Sequence, residues 1–258
     1  MAHLVADLER SNRALDEFAY VASHDLKEPL RGITINANFL LREKPSAAVK
    51  KRGQRIVELG VRMENLISDL LRFSRLGRDK HREAIVDTEM VVEKSRKLFE
   101  EFTDETSAQL TIDAKLPDVK ADPARVLTVY QNLIANALKY NKSGPKVIQV
   151  GFTDCARIGD KEIADAFYVR DNGIGIDAKF HDKVFEIFTR LNSSSDFGPG
   201  TGAGLAFVKR IVDEWGGDFG VTSSPGKGST FFFSMPLSKR TKRSAVPAPE
   251  LSERSAHE

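Results

Sequence analysis

The chain has little of what would place it outside a reducing compartment or inside a membrane. Its one cysteine among 258 residues is Cys155, so no intramolecular disulfide can form. Nothing at the N-terminus has the apolar core of a secretory leader. No run approaches the roughly 18 apolar residues that a spanning helix needs, and these absences together point to the cytoplasm. Charge of one sign is not in excess either. The 39 basic and 37 acidic residues leave a net +2, and the signs are interspersed up to a basic cluster in the tail, so no overall field argues for nucleic acid. No internal repeat is visible. What is present, 41% hydrophobic and 29% charged residues, suffices for a buried core in one large domain or two modest ones.

Leu4, Leu8, Leu15, Ala19, Ala22, Leu26, Leu30, Ile33, Ala37 and Leu40 fall within roughly 40° of Leu26 at about 100° per residue, which predicts one long amphipathic helix over residues 4 to 41. In "EKPSA", Pro45 and Ser46 break and restart the chain. A second stripe, Ile56, Leu59, Met63, Leu66, Leu70 and Phe73, makes a heptad seam. A hairpin of two such helices cannot bury both faces alone. Pairing of two copies into a four-helix bundle is expected, the alternative being packing on the rest of the same chain.

After "LGRDKHR" the texture changes. The β-like runs "QLTIDA", "KVIQVGFTD", "DAFYVRD", "DFGVTS" and "TFFFSMPL" alternate with the helical patterns "TEMVVEKSRKLFEEF", "DPARVLTVYQNLIANALKY" and "AGLAFVKRIVDEWGG", which predicts an α/β layered domain. The expected division is a helical domain over 1–77, a linker over 78–85, an α/β domain over 86–238 and a disordered tail over 239–258.

In "YVASHDLKEPLRGI", His24 lies roughly 160° from Leu26 and so nearly opposite the apolar stripe. An exposed histidine is ordinarily just solvated. Here Asp25 can accept a hydrogen bond from one ring nitrogen and leave the other as a nucleophile. Glu28 and Arg31 follow on the same face. Pro29 removes the amide that would bond the Asp25 carbonyl, so a bend is expected beside His24. From the helix alone, a surface histidine and a catalytic one both remain open.

"FGPGTGAGLAFVKRIV" sets Gly200, Gly202 and Gly204 at alternate positions before an amphipathic helix. Side-chain-free amides at a helix N-terminus suit a phosphate chain. The Walker ending is absent, which argues against an ordinary P-loop. "GIGIDA" fits a loose dinucleotide fingerprint, but no crossover to a second parallel strand follows. In "VYQNLIANALKYN", Asn132, Asn136, Lys139 and Tyr140 share or border one helix face. Amide oxygen suits magnesium, Lys139 suits phosphate and Tyr140 can cover a base; a merely solvated polar face is the plain alternative.

In order along the chain, "SHDLKEPL", "NLIANALKYN", "DNGIGI", "FEIFTRLN", "GTGAGLA" and "GKGSTFFF" resemble the phosphoacceptor, N, first glycine, F, second glycine and final-strand blocks of sensor histidine kinases. The match covers roughly residues 10 to 237, and "DEFAYVASHDLKEPLR" is most similar to phytochrome-type kinase modules. The resemblance implies a dimerising, histidine-phosphorylated hairpin followed by a two-layer α/β ATP-binding sandwich of the gyrase and heat-shock chaperone type. It implies that His24 is the phosphorylated residue, with Asp25 stabilising its ring, and that ATP and Mg2+ are bound. Asp171 would meet the adenine amino group, with Gly173 and Gly175 permitting close approach. Asn136 would hold the metal with Asn132 beside it. Lys139, Tyr140 and Arg190 would line the nucleotide, Arg190 toward the γ-phosphate. Gly200, Gly202, Gly204 and Leu205 belong to the second glycine block. Residues 191–201 would be a lid, anchored by Phe185 and Phe188.

The resemblance further implies a homodimer, transfer of the phosphoryl group to an aspartate of a response-regulator receiver domain, and an upstream sensor, phytochrome-like by the subgroup, that is not in this chain. Two departures are legible. Related ATPases carry a water-activating glutamate where this chain has Asn132, which cannot act as a general base, so hydrolysis by that route is disfavoured. Glu28 stands where strong partner phosphatases carry Thr or Asn, so weak phosphatase activity is expected. The non-enzymatic alternative is a pseudokinase, an ATP-binding dimer that docks a partner without phosphotransfer.

Overall fold

The computed structural model describes residues 26–27, 30–42, 45–76, 82–99, 108–113, 115–142, 144–191, 197–198 and 200–238. His24, Asp25, Glu28, Pro29 and the stripe from Leu4 to Ala22 lie outside them. The chain divides into two compact units, one formed by 1–79 with 187–203, the other by 80–186 with 204–258.

In the first unit, helix α1 covers residues 30–42 and helix α2 covers Ala47–Arg75. Ser46 starts α2 by accepting a hydrogen bond from the Val49 amide at 3.4 Å, and Arg72 and Arg75 complement the negative end of its dipole. Each helix splits its apolar residues between two tracks. Leu30 and Ala37 on α1 are buried, as are Gly53, Gly60 and Ile67 on α2. A Cβ at Gly53 would lie 2.9 Å from the Leu41 side chain, and one at Gly60 2.2 Å from the Thr34 hydroxyl. The antiparallel helices therefore meet along a glycine track repeating every seventh residue. The expected seam lies elsewhere: Ile56, Leu59, Met63 and Leu70 are 39–48% exposed, and Leu26, Ile33 and Leu40 are 53–55% exposed.

The second unit runs β1 (Ala84–Val86), α3 (Thr88–Leu98), β2 (Gln109–Ile112), β3 (Val119–Ala121), α4 (Pro123–Lys139), β4 (Val147–Ile158), β5 (Lys161–Asp171), two 3₁₀ turns (Ala178–Phe180 and Lys183–Phe185), α5 (Gly204–Glu214), β6 (Phe219–Ser223) and β7 (Ser229–Ser234). Five strands form one sheet in the order β2-β4-β5-β7-β6, with β2 parallel to β4 and the other pairs antiparallel; β1 and β3 pair separately. Helix α4 begins at Pro123, capped by Asp122, whose carboxylate accepts from the Ala124 amide. It buries Val126, Val129, Tyr130, Leu133 and Ile134, and Tyr130 meets Phe233 of β7 edge-on at 5.6 Å. Phe233 also stacks on Phe167 of β5 at 5.8 Å, so the core lies between α4, α5 and one face of the sheet. Buried Arg125 of α4 pairs with Glu214 at the end of α5, fixing one helix against the other.

Two elements differ from the sequence expectation. β4 and β5 continue past the predicted runs into a long hairpin that closes at Gly159, where φ is +57°. Arg157, Asp160, Lys161 and Glu162 hid this extension, because its alternation is charged on the solvent side; Arg157 pairs with Glu162 across the strands. Helix α3 ends at Leu98 with Phe99 as its C-cap residue, and the remainder of the expected helical run, 100–102, lies outside the described residues.

Candidate functional site

Asp171 ends β5, opposite Ile148 of β4 and Ser229 of β7. Its Oδ1 accepts hydrogen bonds from the Gly173 amide at 2.8 Å and the Ser229 amide at 3.3 Å. Burial pushes its carboxyl up to about 6, against the pull of these two amides. At neutral pH the group is still ionised, a buried acceptor suited to an amine edge.

The loop after Asp171 is held by backbone and side-chain hydrogen bonds together. Asn172 accepts from the Asn141 side chain at 2.7 Å and the Val147 amide at 2.8 Å, and donates to the Pro145 carbonyl at 3.0 Å. The Ile174 amide donates to the Tyr140 carbonyl at the end of α4, and the Ile174 carbonyl accepts from the Gly226 amide. A Cβ at Gly173 would lie 2.5 Å from the Tyr140 carbonyl oxygen; one at Gly175, where φ is +69°, would lie 1.9 Å from that of Ser224. Only glycine fits either place. Sequence reasoning thus placed Tyr140, Asp171, Gly173 and Gly175 in one constellation, and the structure brings them together.

On α4, Asn132 and Asn136 are both half-buried. The Asn132 amide nitrogen donates to the Thr128 carbonyl at 2.8 Å, and its oxygen lies 2.7 Å from where a Cβ on Gly204 would stand. Asn132 therefore abuts the first residue of α5, which explains why that helix opens on glycine, followed by half-buried Leu205. The Lys139 ammonium sits 5.4 Å from the centre of the Tyr140 ring.

Arg190, Gly200 and Gly202 belong to the first unit. The Arg190 guanidinium donates to the Gly200 and Gly198 carbonyls at 3.0 and 3.2 Å, so in this structure it ties together its own segment. Gly202, with φ +83°, packs against the Thr189 carbonyl, and Phe188 itself has φ +65°. Phe185, in the second unit, packs on Phe219 at 4.9 Å. Residues 192–196 and 199 of the expected lid lie outside the described residues, as do His24 and Asp25.

Sequence reasoning missed a set of supporting groups. The Ser223 hydroxyl accepts from the Ile176 amide at 2.8 Å, donates to the Gly228 carbonyl at 2.7 Å and lies 3.0 Å from the Ser229 hydroxyl. With Asn141 and Asn172 it holds the loop from behind. "DNG" and "GKGST" were the available signals, but neither block says which serine faces which.

A helical hairpin, together with an α/β sandwich that carries a buried carboxylate, a glycine-shaped loop and an asparagine-bearing helix, defines a nucleotide-binding signalling core. Residues 14–79 match the His Kinase A (phospho-acceptor) domain family, and residues 121–239 match the Histidine kinase-, DNA gyrase B-, and HSP90-like ATPase family. The chain belongs to the sensor histidine kinase family, as a kinase core similar to those of phytochromes. Cyanobacterial phytochrome B of Nostoc sp. (strain PCC 7120) is 44% identical over 238 residues, covering 91% of this chain and 31% of its own. Phytochrome-like protein Cph1 of Synechocystis sp. (strain PCC 6803) is 36% identical over 242 residues, covering 92% of this chain and 31% of its own. The chain thus spans about a third of the length of these relatives. Among solved structures, full-length ShkA in complex with AMPPNP superposes with a TM-score of 0.62 at 27% identity, covering 90% of this chain and 47% of that one. Among the described residues, no helix is long and apolar enough to cross a membrane.

Proposed function

We propose that this core autophosphorylates His24 from ATP and passes the phosphoryl group to an aspartate of a response-regulator receiver domain. The observation that carries this reading is Asp171, a buried carboxylate held by two amides beside a loop that admits only glycine at 173 and 175. Asp171 accepts from the adenine amino group, and Lys139 and Tyr140 flank the nucleotide. The amide oxygen of Asn136 is the kind of hard ligand that magnesium takes, and Asn136 would hold it. Magnesium there would neutralise charge on the phosphates. Gly200, Gly202, Gly204 and Leu205 shape the phosphate end, and Arg190 reaches the γ-phosphate after releasing its loop carbonyls. One ring nitrogen of His24, neutral and oriented by Asp25, attacks the γ-phosphorus; the bond to the bridging oxygen breaks, ADP leaves and the ring loses its proton.

The exposed residues Ile56, Leu59, Met63 and Leu70 support a homodimer through the hairpin. Residues 1–77 would then be the dimerisation and phosphotransfer domain and 86–238 the ATP-binding domain. The phytochrome-type relatives support a photoreceptor-type sensor as the upstream partner, and the lone cysteine supports the cytoplasm. Incubation with γ-labelled ATP and magnesium tests the reading. Acid-labile, alkali-stable label absent from His24→Ala is the expected result. Nucleotide binding with no label in the wild-type chain would instead establish a pseudokinase scaffold.

A further inference from the structure

We propose that the sheet face turned away from the helices carries a second anion site, which binds a compact phosphate-bearing small molecule. Side chains alternate along a strand. Phe233 points toward Tyr130 of α4, so Phe232 and Thr230 point to the opposite face. Their cross-strand neighbours Tyr168 and Arg170 on β5, and Thr222 on β6, follow them there. Together with Lys227, in the β6–β7 turn, these residues line a cleft of about 170 Å³.

The charge in this cleft is of one sign. Arg157, Arg170 and Lys227 all line it. Three carboxylates reach the lining residues, and all are engaged: Glu162 pairs with Arg157, Asp113 accepts from the Tyr168 hydroxyl at 2.9 Å, and Asp171, on the nucleotide-loop side, accepts from the Ser229 and Gly173 amides. Among the described residues, neither Arg170 nor Lys227 has an ion-pair partner. Two uncommitted cations beside the hydroxyls of Thr222 and Thr230 match a dianion that accepts several hydrogen bonds. The Tyr168 and Phe232 rings, 6.0 Å apart, give an apolar wall for a small organic body. At about 170 Å³ the cleft is smaller than the roughly 300–1,000 Å³ of pockets that hold drug-sized ligands, which sets the ligand's size. Ser223 also lines the cleft, while its hydroxyl is spent on Ile176 and Gly228 of the nucleotide loop. It is a shared wall, so the two sites adjoin without overlapping.

Calorimetric titration of the full chain with glycerol 2-phosphate, in the presence of saturating ADP, tests the site. The expected result is saturable binding that weakens at least tenfold in the double variant Arg170→Ala/Lys227→Ala, with ADP affinity changed less than twofold. Lys227 is exposed in a turn, so Lys227→Ala alone keeps the fold and should weaken binding at least threefold. No saturable binding, binding unaltered in the variants, or binding abolished by ADP would each overturn the proposal. A missing ADP isotherm would count against the nucleotide reading instead, and the cleft would then be judged from the glycerol 2-phosphate titrations alone.

Discussion

The hairpin and the sheet unit bury their apolar residues in opposite ways. In the sheet unit Tyr130, Leu133, Ile134, Phe167 and Phe233 are at most 1% exposed, so one copy of the chain closes its own core. On the hairpin the track that one copy closes holds Gly53, Gly60, Ala37 and Thr34 with only Leu30 and Ile67 as larger buried apolar side chains, while Leu26, Ile33, Leu40, Ile56, Leu59, Met63 and Leu70 stay exposed. Small residues fix how closely two helices approach but release little free energy on burial, since that gain scales with apolar area. The sheet unit therefore closes its core within one copy of the chain, and the hairpin leaves much of its apolar area uncovered.

The largest effect is expected inside the sheet core. Phe233→Ala, which removes a ring packed on Tyr130 and Phe167, should cost about 3–5 kcal/mol, read as a lower urea midpoint of the sheet unit's transition. The next tests the carboxylate that this unit keeps at a cost. Because folding raises Asp171 from its ordinary 3.8 to about 6, the unfolded chain ionises first as pH rises. Stability is lost between about pH 4 and pH 6 and is flat above. Asp171→Asn should raise the unfolding free energy by about 3 kcal/mol at pH 7 and leave it nearly unchanged at pH 4, while ADP affinity falls at least a hundredfold at neutral pH. Equal stability gains at both pH values would refute the assignment. The smallest effect on the sheet unit should come from the hairpin: Leu59→Ser with Met63→Ser should move that unit's transition by less than about 0.5 kcal/mol. The same variant should abolish the dependence of hairpin melting on protein concentration.

This contrast also separates what the sequence disclosed from what it did not. Period and spacing exposed α2, α4 and α5, and the blocks around Asn132, Asp171 and Gly204 announced a nucleotide site. Which stripe on each helix faces its neighbour was not legible, because Gly53 and Gly60 carry no hydrophobic signal; they matter through the room they leave. The β4–β5 hairpin hid behind charged residues whose partners are known only once the register is known. Ser223 escaped for a similar reason, since a serine is unremarkable until the amide that it serves is in view.

The Asn136 carbonyl accepts from the Tyr140 amide, and the Tyr140 carbonyl accepts from the Ile174 amide, three residues beyond Asp171. The residue proposed to hold the metal and the one proposed to hold the base are thus gauged against each other by main chain alone. Side-chain exchanges at 140 or 174 leave that gauge at its setting. Inserting or deleting one residue between 136 and 140 would reset it by a whole step of the helix, so the spacing between the two residues should survive a side-chain exchange at 174 far better than any change of length.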